Sequence, residues 1–168
     1  NRKAKTKIFE ILLPKDEELS TALFGKILES LASENAVHIK IIYVQKMNPL
    51  ALARHLREII KRKPLGVAFV AVDDAIVSDA VNDLINQGIA VVCISSGLDS
   101  SLAVPVVGID NRAAGRTAGS LLGLFTKGKG KIGLIWGGEL YRSHELREMG
   151  FRSILRKEYP KLDILDLV

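Results

Sequence analysis

Polar side chains that could hold a small molecule recur just after apolar runs in this chain. Asp73 and Asp74 follow Leu65 to Val72, Ser95 and Ser96 follow Ile89 to Ile94, and Asp110 and Asn111 follow Val104 to Ile109. Arg147 lies in Y-R-S-H-E-L-R-E-M-G-F, Tyr141 to Phe151. Carboxylates accept from hydroxyls, serines both donate and accept, and an arginine offers a planar fork to paired hydroxyls or a carboxylate. This is the chemistry of binding. The chemistry of turnover is missing: there is no nucleophile elbow, no Cys/His pair and no zinc spacing. The stretch G-L-F-T-K-G-K-G, Gly123 to Gly130, approaches a phosphate loop. It lacks the Ser/Thr after Lys129, and it precedes a strand pattern when it should follow one. His144 has no partner at metal-ligand spacing. Asp73-Asp74 has no second acidic cluster at the end of the first strand, so a phosphoacceptor site is not expected.

Each candidate also has a plainer reading. Asp74 and Asp110 can cap the helices they precede. Arg147 can pair on the surface with Glu145 or Glu148. The residue pattern alone leaves both readings open.

The elements that must position these groups alternate regularly. Strand patterns fall at Lys7 to Leu13, Val37 to Val44, Leu65 to Val72, Ile89 to Ile94, Val104 to Ile109, Lys131 to Trp136 and Leu162 to Val168. Helical periodicity fills the gaps: Glu18 to Ser33, a helix opened by Asn48-Pro49 and running to about Arg62, one capped by Asp74 and stopped by Gly88, Arg112 to Phe125, and Ser143 to Tyr159. Continuous apolar strands between amphipathic helices predict an α/β fold, doubly wound, with a parallel sheet covered on both faces. Ligands of such sheets bind beyond the carboxyl ends of the strands, where Asp16, Gln45 and Lys46 join the residues above. Gly115 and Gly119 share one helix face, which predicts close packing of that helix on the sheet. The loop Ser95 to Ala103 breaks the cadence and is the candidate linker.

Totals narrow the class. The 168 residues are 48% hydrophobic and 26% charged, with a formal net charge of +5. That is an ordinary globular composition. The basic clusters Arg2/Lys3/Lys5/Lys7, Lys61/Arg62/Lys63 and Lys127/Lys129/Lys131 read as solvated surface before they read as a nucleic-acid footprint. The single cysteine, Cys93, lies in an apolar run and reads as a small buried residue. No apolar stretch is long enough to span a bilayer. The basic, then apolar N-terminus contains Glu10 and has no small-residue cleavage site, unlike a signal peptide.

Three stretches together carry a family resemblance: A-V-N-D-L-I-N-Q-G-I-A-V-V (Ala80 to Val92), V-G-I-D-N-R-A-A-G (Val107 to Gly115) and R-E-M-G-F (Arg147 to Phe151). In this order and spacing the chain resembles the effector-binding core of LacI/GalR-type transcriptional regulators, a core similar to periplasmic sugar-binding proteins. The resemblance implies a periplasmic-binding-protein-like type I fold of two parallel-sheet lobes. It divides the chain into a first lobe, residues 1–109, and the start of a second, residues 110–168, left incomplete. It implies a sugar-like effector bound between lobes, with no cofactor and no metal. Operator DNA would be bound by an N-terminal helix-turn-helix that this chain does not contain. It further implies a homodimer, a cytoplasmic location and no membrane partner. Arg147 matches the effector-clamping arginine, and Asp110 matches the acid of the D-N element, whose role is partly structural; Ser95, Ser96 and Asp73 would line the cleft. Ser95 and Ser96 stand where many sugar-binding relatives carry Asp-Arg, and Leu19-Ser20-Thr21 stand where such relatives place stacking aromatics. Both departures weigh against a simple pentose or hexose. The rival readings are a periplasmic solute-binding receptor of a transporter and, more distantly, a small α/β enzyme.

Overall fold

The structure, a computed structural model, describes residues 8–15, 19–45, 48–98 and 103–166. Asp16 and Lys46, named above, and the basic residues before Ile8 lie outside these. The chain forms two compact units, Asn1–Val107 and Gly108–Val168.

Unit 1 holds β1 (Ile8–Lys15), α1 (Leu19–Glu34), β2 (His38–Gln45), α2 (Pro49–Arg62), β3 (Gly66–Phe69), α3 (Ala75–Asn86), β4 (Ala90–Ile94) and β5 (Val106–Val107). Its five strands are all parallel, in the order β2-β1-β3-β4-β5. β1 is paired on both sides, with Ile11 opposite Ile41 and Ala68. Such a strand must be apolar on both faces, and the run Ile11-Leu12-Leu13 is fully buried.

α2 and α3 cover one face of this sheet. Their inward stripes, Leu52, Ala53, Leu56 and Ile59 on α2 and Val77, Ala80, Val81 and Leu84 on α3, are buried at helical spacing. Asn48 caps α2 by accepting from the Ala51 N–H at 2.7 Å, and Pro49 takes the first helical position. Lys63, in the left-handed region at φ 51°, ends the helix. Glu10 of β1 points to this same face and is buried, with both carboxylate oxygens accepting from Arg62, at 2.6 and 2.5 Å.

The other face differs from the expectation of full cover. α1 packs there through Gly25, whose missing Cβ leaves room for the Tyr43 ring and Ile41. Its apolar residues Leu23, Ile27 and Leu31 stay 47–55% exposed. Beside α1 an apolar hollow of about 290 Å³ remains open over Phe9, Ile11, Ile39, Ala68 and Val92.

The fifth strand is also shorter than its apolar run. Only Val106–Val107 pairs, with Cys93 and Ile94. Pro105 has no N–H to give, and its carbonyl accepts from the Cys93 N–H at 2.8 Å. β4 turns away after Ile94, so residues beyond Val107 have no ladder to join.

Unit 2 holds α4 (Asn111–Phe125), β6 (Gly130–Leu134), α5 (Arg142–Glu158) and β7 (Leu162–Asp166). β6 and β7 pair in parallel, Ile132 opposite Ile164. The core is Ile132, Phe151, Leu155 and Leu162. Gly115, Gly119 and Gly123 line one stripe of α4, but this stripe packs on α5 and not, as expected, on a sheet. A Cβ at Gly115 would overlap the Arg147 carbonyl, one at Gly119 would meet Ile154 and Phe151, and one at Gly123 would meet the Tyr159 ring. Gly150 of α5 returns the contact, pressed against the Arg112 carbonyl. Helix backbones come this close only where side chains are absent on both sides.

Candidate ligand-binding site

In each unit the expected groups sit at the carboxyl ends of strands. In unit 1 the chain leaves β3 through buried Ala71 and Val72 to Asp73, which is half-buried, and Asp74. Asp74 accepts from the Ile76 N–H at 2.9 Å, so its carboxylate is committed to the cap of α3.

Ser95 and Ser96 form a tight turn at the end of β4. Ser95 has φ 63°, a left-handed conformation that disfavours a residue with a Cβ. The Ser96 N–H donates back to the Ile94 carbonyl at 2.6 Å, closing a γ-turn around Ser95. The Ser95 N–H donates to Val107 at 2.8 Å. This turn exposes Ser95 and buries Ser96 to 2%. A strained turn at a strand's ligand end, held by ladder bonds on both sides, is the kind of backbone that binding sites retain. A separate hollow of about 1060 Å³ lies along α2 and α3, lined by Leu50, Arg54, Arg57 and Asp74 among others; neither serine lines it.

Cys93, beside this turn, is fully buried, and burial pushes its thiol up to about 11. Only the thiolate alkylates, so iodoacetamide should label Cys93 at the rate of unfolding and not faster. The folded chain favours the neutral thiol. Stability should therefore fall as pH rises from the ordinary thiol range towards about 11, where the unfolded chain ionises first. Mass spectrometry after timed labelling, with and without urea, reads the first effect. Labelling at equal rates in both conditions would contradict it.

In unit 2, α4 begins and α5 begins at the carboxyl end of β6. Asp110 accepts from the Ala113 N–H at 2.8 Å, capping α4. Asn111, next to it, is 7% exposed. Arg147 stands in the second turn of α5. The plain reading of Arg147 as a surface ion pair is not what forms: Glu145 is held by Arg142 at 2.9 Å and Glu148 by Arg152 at 2.7 Å. Among the described residues Arg147 is exposed and takes no ion pair. Its backbone is pinned against Gly115, so its guanidinium projects from a fixed point.

His144 packs as a ring. It lies against Gly137, where an added Cβ would meet its Cε1 and Nδ1, and it forms an edge-to-face pair with Tyr141 at 5.3 Å between centroids. Its Nδ1 is shielded from solvent without a hydrogen-bond partner among the described residues. No group of three His, Cys, Asp or Glu placed to hold a metal occurs among the described residues. No helix among them is long and apolar enough to cross a membrane. Sequence reading missed the reciprocal glycines behind Arg147; the spacing of Gly115, Gly119 and Gly123 with Gly150 was the available signal.

Residues 17–168 match the periplasmic binding protein domain. The chain belongs to the periplasmic binding protein domain family. No curated protein matches it. Among solved structures it is similar to an ABC transporter solute-binding protein from Burkholderia graminis in complex with D-arabinose, at TM-score 0.87 and 21% identity over 97% of this chain and 56% of that one. It is similar to GanP, a glucose-galactose binding protein from Geobacillus stearothermophilus, at TM-score 0.85 and 26% identity over 96% and 58%. It is also similar to a LacI-type transcriptional regulator from Bacteroides fragilis, at TM-score 0.83 and 23% identity over 97% and 60%. The chain thus spans a little over half the length of these relatives, and within this family the α/β fold is that of binding and sensing proteins.

Proposed function

We propose that the chain is the ligand-sensing part of a LacI-type, DNA-binding transcriptional regulator and that its effector is a sugar or related small polar molecule. Arg147 carries the reading: it is an exposed guanidinium with no ion pair among the described residues, its backbone held against Gly115. It orients the effector through paired hydroxyls. Ser95, Ser96 and Asp73 are the polar groups that unit 1 offers to such a ligand at its own strand ends, and Asp110 holds the start of α4. The D-N-x-x-x-G and R-x-x-G-F stretches favour the regulator. In that role the effector shifts the population between two arrangements of a cytoplasmic homodimer, and operator DNA is bound by a helix-turn-helix preceding this region.

The solute-binding receptor of a transporter is the second reading, supported by the Burkholderia and Geobacillus structures, which are as similar as the regulator. Calorimetry with a panel that includes D-arabinose, glucose and galactose tests the site. Arg147→Ala should weaken the sugar that binds by about 10- to 150-fold, the worth of hydrogen bonds to a charged group. Unchanged affinity would sink the assignment of Arg147. A gel shift of the full-length protein on its own promoter DNA, with and without that sugar, separates the two readings. DNA binding that responds to the sugar makes it a regulator; no DNA binding in either condition makes it a receptor.

A further inference from the structure

Among the described residues, four other than glycine have positive φ: Ala36, Lys63, Ser95 and Lys127. Ala36, Lys63 and Lys127 each stand within two residues of the last residue of a helix, where a left-handed residue is an ordinary way to stop. Ser95 stands directly after β4, where there is no helix to close. A side chain there crowds the following carbonyl, and glycine would avoid the crowding. The chain nevertheless keeps a Cβ at this position.

What the turn achieves is a hold on β5. That strand has only two residues, Val106 and Val107, and both are exposed. The Cys93 N–H donates to the Pro105 carbonyl and the Ser95 N–H to the Val107 carbonyl, both at 2.8 Å. Because Ser95 is left-handed, the chain bends at once, with the Ser96 N–H closing on the Ile94 carbonyl. Ser96 is thereby buried, and Gly97 comes over Val106, where an added Cβ would stand 2.8 Å from the Val106 Cγ2. The turn therefore clasps β5 at its end and on its flank. Val107 is also the last residue of unit 1, so the point where the chain leaves the unit is tied to Ser95.

We propose that Ser95 is a positioning residue for the effector. Its strained backbone holds the carboxyl end of β4 and Val107 in one arrangement before any ligand arrives. This rests on the effector reading above, in which a sugar or related polar molecule binds at this edge. A pre-formed edge spares the ordering cost that a loose turn would add to binding. Stability and affinity then pull in opposite directions at one residue, as they do where a binding site stores strain.

Two variants of the full-length protein separate the backbone from the hydroxyl. Ser95→Ala removes the hydroxyl and keeps the Cβ. Ser95→Gly removes both and lets the turn relax. Urea unfolding followed by circular dichroism should give Ser95→Gly the higher midpoint. Amide exchange at Cys93 and at residue 95, whose N–H groups hold β5, should nevertheless be faster in Ser95→Gly than in Ser95→Ala. Calorimetry with the sugar that the wild-type protein binds should show Ser95→Gly about 3- to 10-fold weaker than Ser95→Ala, although it is the more stable of the two. A residue that merely ended a strand would not reverse the order in this way. With wild-type binding intact, equal affinities of the two variants would overturn the role of Ser95 and leave the effector reading standing. Equal exchange in the two variants would overturn it as well, and so would a lower midpoint for Ser95→Gly, since the turn would then hold no strain to relieve. A wild-type protein that bound no sugar of the panel would remove the effector reading, and this proposal with it.

Discussion

Arg62→Met should destabilise unit 1 by about 3–5 kcal/mol, the cost of leaving a buried charge without its partner. Glu10 is 2% exposed on β1, a strand paired on both sides, and both of its oxygens are bonded by Arg62. The bond to Glu10 raises the Arg62 pKa further above its ordinary value, so the cation is never in doubt. Arg62 also closes α2, where a cation favours the negative end of the helix. Without it, the buried carboxyl of Glu10 keeps no partner for either oxygen. Urea unfolding followed by circular dichroism measures the loss. The double variant Glu10→Leu, Arg62→Met should recover most of the loss, because an apolar pair of similar volume replaces the ion pair. If the double variant were as unstable as the single one, packing and not charge would explain the defect.

The second large effect is expected at Gly115. Gly115→Ala puts a methyl group into the Arg147 carbonyl, and neither backbone can move without unwinding a helix. Overpacking of this kind costs about 1–3 kcal/mol and more where backbone is struck. Among the described residues of unit 2, the core holds four buried apolar side chains beside a two-stranded sheet. Amide exchange in β6 and β7 should become fast in Gly115→Ala and in Gly150→Ala, while β1 and β3 stay protected. Gly88→Ala is the contrast. Gly88 has positive φ but nothing within 4 Å of an added Cβ, so only the conformational strain of about 1–2 kcal/mol applies. If Gly88→Ala and Gly115→Ala had equal effects, the helix contact would not be the cause. The Gly115 variant should also lose ligand affinity, since the backbone that fixes Arg147 has moved.

Much of this fold is local enough to be read from the chain. Periodicity placed α2 and α3 within a residue or two, and Asn48, Asp74 and Asp110 each cap the helix that the pattern assigned to them. These features depend on neighbours three or four positions away. What the pattern missed depends on partners far along the chain. The run Val104 to Ile109 looks like a full strand, but its length is set by where β4 turns, ten residues earlier. Gly115 and Gly119 looked ready for a sheet, and only the folded unit shows that α5, carrying its own Gly150, is the surface they meet. Glu10 stood out in the sequence only as a charge in the apolar N-terminal stretch, and its counter-charge is Arg62, 52 positions on. In the candidate site, the positions of Asp73, Ser95, Ser96, Asp110 and Arg147 at strand ends follow from the parallel βα cadence. The left-handed turn at Ser95 and the unpaired state of Arg147 do not, because they are set by hydrogen bonds and by which glutamates other arginines have already taken.

The strand order also sets a timetable for synthesis. β1 is made first, yet its pairing with β3 puts Phe9 opposite Gly66, 57 positions later. At about 5–20 residues per second, a ribosome takes about 3–11 s to deliver that partner. For that interval Ile11, Leu12 and Leu13, which end in the most protected place in the sheet, are wet and adhesive on the nascent chain. The apolar strand that makes the finished unit stable is thus the segment for which a chaperone has the earliest use.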